Sequence, residues 1–280
     1  MNLLDLTPGG EYFCRPFAVP PTPAAQSVKL LLDGWPAVTH LSEGDARFEI
    51  YRTALLSSVE RWLLYSTTNY RRALDMLGAA SAPWAHVTLY YSSFFAANAI
   101  LGMFGGFVKS EGKRTVVDVV TQAAGSQQFL ITRKAPVPLP ATGSHGVFWA
   151  YFYSAAPHIT AWAPAALKGA LVPPGSHLWQ TDARNAVNYD MYDAFQASRH
   201  FENGFDPAHY PASITGNLGQ QLATTENVLE LASTFARELK LECFALDGLS
   251  PAKGRARIQS RLVKERIPKL VKKSQLTRFL

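Results

Sequence analysis

The strongest constraint in this chain is a spacing. Apolar side chains return at three- and four-residue steps through four long stretches, each closed by Gly or Pro. The first covers residues 45–77, where Phe48, Tyr51, Leu55, Val59, Trp62 and Leu74 carry the period. Ser42 is its expected N-cap and Gly78 its expected stop. The second covers 83–104. It opens with Pro83 in the first turn, where a missing N–H costs nothing, and closes at Gly105-Gly106. The third covers 181–202 and the fourth 216–246. These spacings predict a mainly α chain whose four helices pack as one bundle, with no β-sheet running through them.

The stretches divide the chain. Residues 1–44 read as a Pro-rich N-terminal arm, because Pro16, Pro20, Pro21, Pro23 and Pro36 forbid a long helix; short strands or an extended arm both fit. Residues 45–250 read as the helical domain, with an insertion at 107–178. Within it, 115–120 and 128–132 fit short strands or helix fragments. Pro136, Pro138 and Pro140 mark a loop, Gly143-Ser144-His145-Gly146 reads as a turn, and 147–156 as a short aromatic helix. Residues 251–280 form a basic C-terminal tail.

Hydrophobic residues at 48% against 17% charged are enough to bury a core, which excludes wholesale disorder. The longest apolar-rich stretch, 84–108, is broken by His86, Ser92, Ser93 and Asn98, so it reads as a core helix and no membrane span is expected. The start of the chain has no signal-peptide pattern, and Cys14 and Cys243 are its two cysteines. A soluble protein of the reducing cytoplasm is the expectation.

Charge is concentrated at one end. The last thirty residues hold ten basic side chains against Glu265 alone, a net +9; the whole chain carries +6, so the preceding 250 residues carry −3. Lys253, Arg255, Arg257, Arg261, Lys264, Lys272 and Lys273 are the expected nucleic-acid contacts. Such a tail suits phosphate backbones or an acidic protein, and it also suits a solubilising terminus.

Two familiar chemistries are excluded. The Gly-rich run after residue 104 lacks P-loop spacing, since Phe107 stands where a Gly would be required, and it follows a helix. No His pair has metal-ligand spacing and there is no Cys pair, so no metal and no cofactor are expected.

Two segments carry more. In residues 86–102, aromatics alternate with small residues: Ala96, Ala97 and Ala99 admit a close neighbour, while Tyr91, Phe94, Phe95 and Leu101 fill the gaps. In residues 182–192, about 100° per residue places Val187 and Met191 toward the bundle. Arg184 with Asn188 lies along the edge of that stripe, and Asn185 with Tyr189 further round. A guanidinium fork beside amides suits phosphate recognition; a polar rim pairing with neighbouring helices fits the same residues.

Together the segments resemble the HEPN (higher eukaryotes and prokaryotes nucleotide-binding) superfamily. Residues 90–101 match its Tyr-Tyr-small-x-Phe helix, and Arg184-Asn185 matches the start of its Arg-x4-His motif, with Tyr189 at the His position. The form is close to the Arg-x-x-Ala-Asp-Tyr of some family branches. The resemblance implies a HEPN-like helical bundle with an insertion between the motif helices, and a homodimer. It implies a nucleic-acid-acting protein of the toxin–antitoxin or phage-defence (antiviral) kind: a metal-independent endoribonuclease or a degenerate non-catalytic relative. The implied catalytic set is Arg184, Asn185, Asn188 and Tyr189. In that chemistry the RNA 2′-hydroxyl attacks the adjacent phosphate, Arg stabilises the charge, and His moves the proton. A Tyr, ordinarily titrating near pH 10, is a poor substitute for that His. His200 lies about four turns beyond Arg184 on the expected helix. His86, on the other motif helix, is the alternative, or is simply a partly buried, hydrogen-bonded His. Another reading is a binding or scaffold protein that recognises a partner protein and nucleic acid; a further one is a helical structural protein in which the motif is coincidental.

Overall fold

A computed structural model describes residues 28–36, 38–42, 45–78, 81–109, 115–117, 120–122, 128–132, 143–160, 163–189 and 212–238. In chain order these give α1 (Val28–Asp33), β1 (Val38–Ser42), α2 (Ala46–Gly78), α3 (Ala82–Met103), β2 (Phe107–Lys109), β3 (Thr115–Val117), β4 (Val120–Gln122) and β5 (Gln128–Thr132). They continue with α4 (Ser144–Ile159), a 3₁₀ helix (Ala165–Leu171), α5 (Trp179–Tyr189) and α6 (Ala212–Glu238). The chain is mainly α. All four expected helices are present, and no strand runs through them. The expectations for residues 1–27, the Pro136–Pro140 loop, 190–202, 239–246 and the basic tail lie outside the described residues.

α3 is the centre of the bundle. It is apolar or small on nearly every side, the pattern of a helix with neighbours all round. α2 and α6 pack along it, α5 crosses it, and α4 touches it over a short patch. The α2 contact is close. A Cβ added at Gly102 would sit 2.5 Å from Val59 Cγ2 and 3.1 Å from the Trp62 ring. Ala96, Ala97 and Ala99 of the same helix are fully buried. Ser66 and Ser92 exchange hydroxyl-to-carbonyl bonds of 2.8 Å across the same seam.

Local chemistry sets the helix ends. α2 is capped by Asp45, whose Oδ1 accepts the Arg47 N–H at 2.8 Å. Ser42, the expected cap, is instead the last residue of β1, because the strand pairing extends through it to Gln128. α3 starts with Pro83 in its first turn. It ends in a Schellman pair, Gly106 N–H to Leu101 O at 2.8 Å and Gly105 N–H to Gly102 O at 3.0 Å, with Gly105 at φ +87°, which a side chain would strain. The Tyr51 hydroxyl donates to Gly105 O at 3.0 Å and ties this end to α2.

In the insertion, residues 115–117, 120–122 and 128–132 are strands, which settles the strand-or-helix alternative for those residues. β1, β5 and β4 form an antiparallel sheet in that order, with Leu41 opposite Phe129 and Val120 opposite Leu130. β2 and β3 form a separate antiparallel pair. Val28, Leu32 and Leu41 join the main core, so α1 and β1 pack onto the bundle. The Gly143–Gly146 segment corrects the turn reading. Gly143 is the N-cap of α4, and Ser144, His145 and Gly146 are its first turn, held by the aromatic face that follows. Among the described residues no helix is long and apolar enough to cross a membrane.

Candidate functional site

Three helices converge on the hydroxyl of Tyr90. α3 supplies Tyr90 itself, which is fully buried. α4 supplies His145, whose Nδ1 lies 2.7 Å from the Tyr90 oxygen, and Trp149, whose Nε1–H donates to it at 3.2 Å. α5 supplies Arg184, whose guanidinium carbon stands 5.1 Å from the Tyr90 ring centroid, a cation–π distance. Phe94 closes the apolar side, 4.8 Å from the His145 ring and 4.5 Å from Phe148.

The local sequence explains why α5 arrives there. Pro173-Pro174-Gly175, with Gly175 at φ +101°, turns the chain, and the Ser176 hydroxyl accepts the Leu178 N–H at 3.1 Å just before the helix. A buried polar network then fixes the rotation of α5. Gln180 donates to the Tyr153 hydroxyl at 3.3 Å and accepts from Gln221 of α6 at 3.2 Å. Ser93 of α3 and Thr225 of α6 share a 2.7 Å bond beside them. Arg184 lies one turn beyond Gln180 on the same stripe, so locking Gln180 inward aims Arg184 at Tyr90.

Arg184 is half-buried, and its Nε and Nη2 donate to Asn185 Oδ1 at 3.2 and 2.5 Å. It makes no ion pair with a carboxylate among the described residues. Asn185 keeps its Nδ2 as a donor. Burial shifts the titrating groups. The Tyr90 hydroxyl is pushed up to about 12, against smaller opposing effects of Trp149, Thr181 and Arg184. The His145 ring is lowered to about 4, first by burial and then by the Arg184 charge, so it is neutral at pH 7.

The expected residues therefore divide. Arg184 and Asn185 meet in one cluster. Asn188, one turn further, is exposed. Tyr189 closes α5, and its side chain lies outside what is described. His86 makes no hydrogen bond to this cluster. It is 4% exposed, burial lowers it to about 4, and its Nε2 has no hydrogen-bond partner among the described residues. The hydrogen-bonded imidazole expected there is thus buried but unpaired at that nitrogen. His145, Trp149 and the role of Tyr90 were missed by sequence reasoning. The one signal was the His in the Gly-Ser-His-Gly run, read as a turn. Among the described residues no group of three His, Cys, Asp or Glu side chains could hold a metal ion.

No protein-family model matches this chain, and no curated protein or solved structure matches it.

Proposed function

We propose that the chain is a HEPN-like nucleic-acid-acting protein of the toxin–antitoxin or phage-defence kind, in which Arg184 and Asn185 hold an RNA phosphate for metal-independent cleavage. The observation that carries this reading is the state of Arg184. A half-buried guanidinium on an aromatic bed, without a carboxylate ion pair among the described residues, has fork donors for two phosphate oxygens. Asn185 supports one edge of the fork and offers a further donor. The basic residues 253–273 would add affinity that falls with salt as counterions are released. A homodimer in the cytoplasm belongs to the same reading.

The test is cleavage of a mixed RNA pool in EDTA, with end-group analysis for 2′,3′-cyclic phosphate. Arg184→Ala should lose at least about 100-fold in rate, comparable to removing one transition-state donor. Arg184→Lys should restore little, because an ammonium lacks the planar fork. Wild-type protein that binds RNA but leaves it intact favours the second reading, a non-catalytic binding or scaffold protein that also engages a partner protein. Tyr189 at the His position is the observation on that side.

A further inference from the structure

We propose that His145 is the proton-transfer residue of this site, and that Tyr90 is the positioning residue that fixes its tautomer. The inference rests on the RNA-cleavage reading above and names the group that reading lacks.

The geometry of Tyr90 sets the argument. Its oxygen already accepts the Trp149 N–H at 3.2 Å, and a phenol oxygen can accept a second donor. His145 Nδ1 stands 2.7 Å away on α4. In the tautomer we propose, Nδ1–H donates there, and the phenol hydrogen turns toward Thr181, whose Oγ1 is buried with no hydrogen-bond partner among the described residues. The lone pair of His145 then sits on Nε2. That nitrogen makes no hydrogen bond among the described residues, and the His145 side chain is only half-buried. This is the arrangement of an oriented base: one ring nitrogen held by the fold, the other presented to a substrate.

The charges point the same way. The groups facing the ring are Arg184 from α5 and Tyr90 and Tyr91 from α3, with Phe94 as apolar wall. Without substrate, burial and the Arg184 charge keep the imidazole neutral. A phosphate held at Arg184 offsets that charge, so the ring becomes a better proton acceptor when substrate is in place. In the step itself, the 2′-hydroxyl proton passes to Nε2 as the 2′-oxygen bonds to phosphorus. The bond from phosphorus to the 5′-oxygen breaks, and Nε2 returns the proton to that oxygen. The products are a 2′,3′-cyclic phosphate and a 5′-hydroxyl, and no other reactant is consumed.

The experiment uses the full chain and four variants, His145→Gln, His145→Asn, Tyr90→Phe and Arg184→Ala, each checked for helical content. His145→Gln and His145→Asn should lose about 100-fold or more in kcat, the usual worth of a positioned acid–base group, with RNA affinity little changed. The wild-type rate should rise with pH through the His145 ionisation, and both variants should lose that limb. Nitrogen NMR of the wild type should show Nδ1 protonated and the ring's titration moving up when inorganic phosphate is added; Tyr90→Phe should mix the tautomers. Folded His145 variants that cleave at the wild-type rate, while Arg184→Ala is dead, overturn the role of His145 and leave the cleavage reading standing. An imidazole that does not respond to saturating phosphate overturns the coupling to Arg184. Wild-type protein that binds RNA without cutting it removes the reading and this role together.

Discussion

Along its second half, α3 buries Ala96, Ala97, Ala99 and Gly102, and Gly102 meets Val59 and Trp62 of α2 at close range. Along its first half, the same helix buries His86 and Tyr90 and receives His145, Trp149 and Arg184 from two other helices. Close packing of small residues lowers free energy wherever it occurs. Burying imidazoles whose charged form is driven out does the reverse, and one nitrogen of His86 has no partner there. One half of α3 is optimised for stability; the other carries polar groups a stable core would avoid, a pattern typical of functional sites.

The largest break in that contrast comes from Gly102→Val. A Cβ there already meets the β-branched Val59 at 2.5 Å, and neither partner has a flexible end to swing away. The loss should be about 3 kcal/mol, the upper range for overpacking, read from urea unfolding. A variant within about 1 kcal/mol of wild type would mean the helices re-space freely, contrary to a rigid seam.

The second break concerns pH. His86 is lowered from its ordinary 6.5 to about 4 by burial, so between those values the unfolded chain binds the proton and the folded chain does not. Stability is therefore full above about pH 6.5 and is lost as pH falls toward 4, on the order of 2–3 kcal/mol for this one group. His86→Leu should lose less over the same window, measured by urea unfolding at pH 7 and pH 4.5. Equal losses in both proteins would show that His86 takes up its proton without opening the bundle.

The same division separates what was legible in the sequence from what was not. The close-packed half was legible: the 3.6-residue period, Ala96, Ala97 and Ala99, and Gly105-Gly106 predicted a tightly packed helix with that end. Errors there were local. Asp45 rather than Ser42 caps α2, because strand pairing, a long-range effect, claimed Ser42. In the polar half, Arg184 and Asn185 were legible by residue type and spacing on one helix. Their partners were not. Tyr90, His145 and Trp149 come from helices remote in sequence, and Gly143-Ser144-His145-Gly146 has turn propensity that its helical surroundings override. A helix period tells which face turns inward; it does not tell which residue of another helix waits there.

The smallest expected effect is the sharpest on the polar half. Arg184→Met keeps the stem and removes the charge. At pH 7 it gives up a cation–π contact with Tyr90 and the bonds to Asn185, worth together about 1 kcal/mol at a half-exposed site. At lower pH a second effect enters with the opposite sign. Folded wild type resists protonation of His145 partly because the Arg184 charge stands beside it, whereas the unfolded chain has no such repulsion. Removing the guanidinium lets the folded state accept that proton at a higher pH, while the larger, burial part of the shift remains. The variant should therefore lose less stability than wild type as pH falls from 7 to 5, and the gap between the two curves should narrow or cross. Urea unfolding of both proteins at the two pH values reads this directly. A gap that stays constant would mean the Arg184 charge does not act on His145, and the polar half of α3 would then be two separate features, an aromatic cage around His145 and a rim arginine.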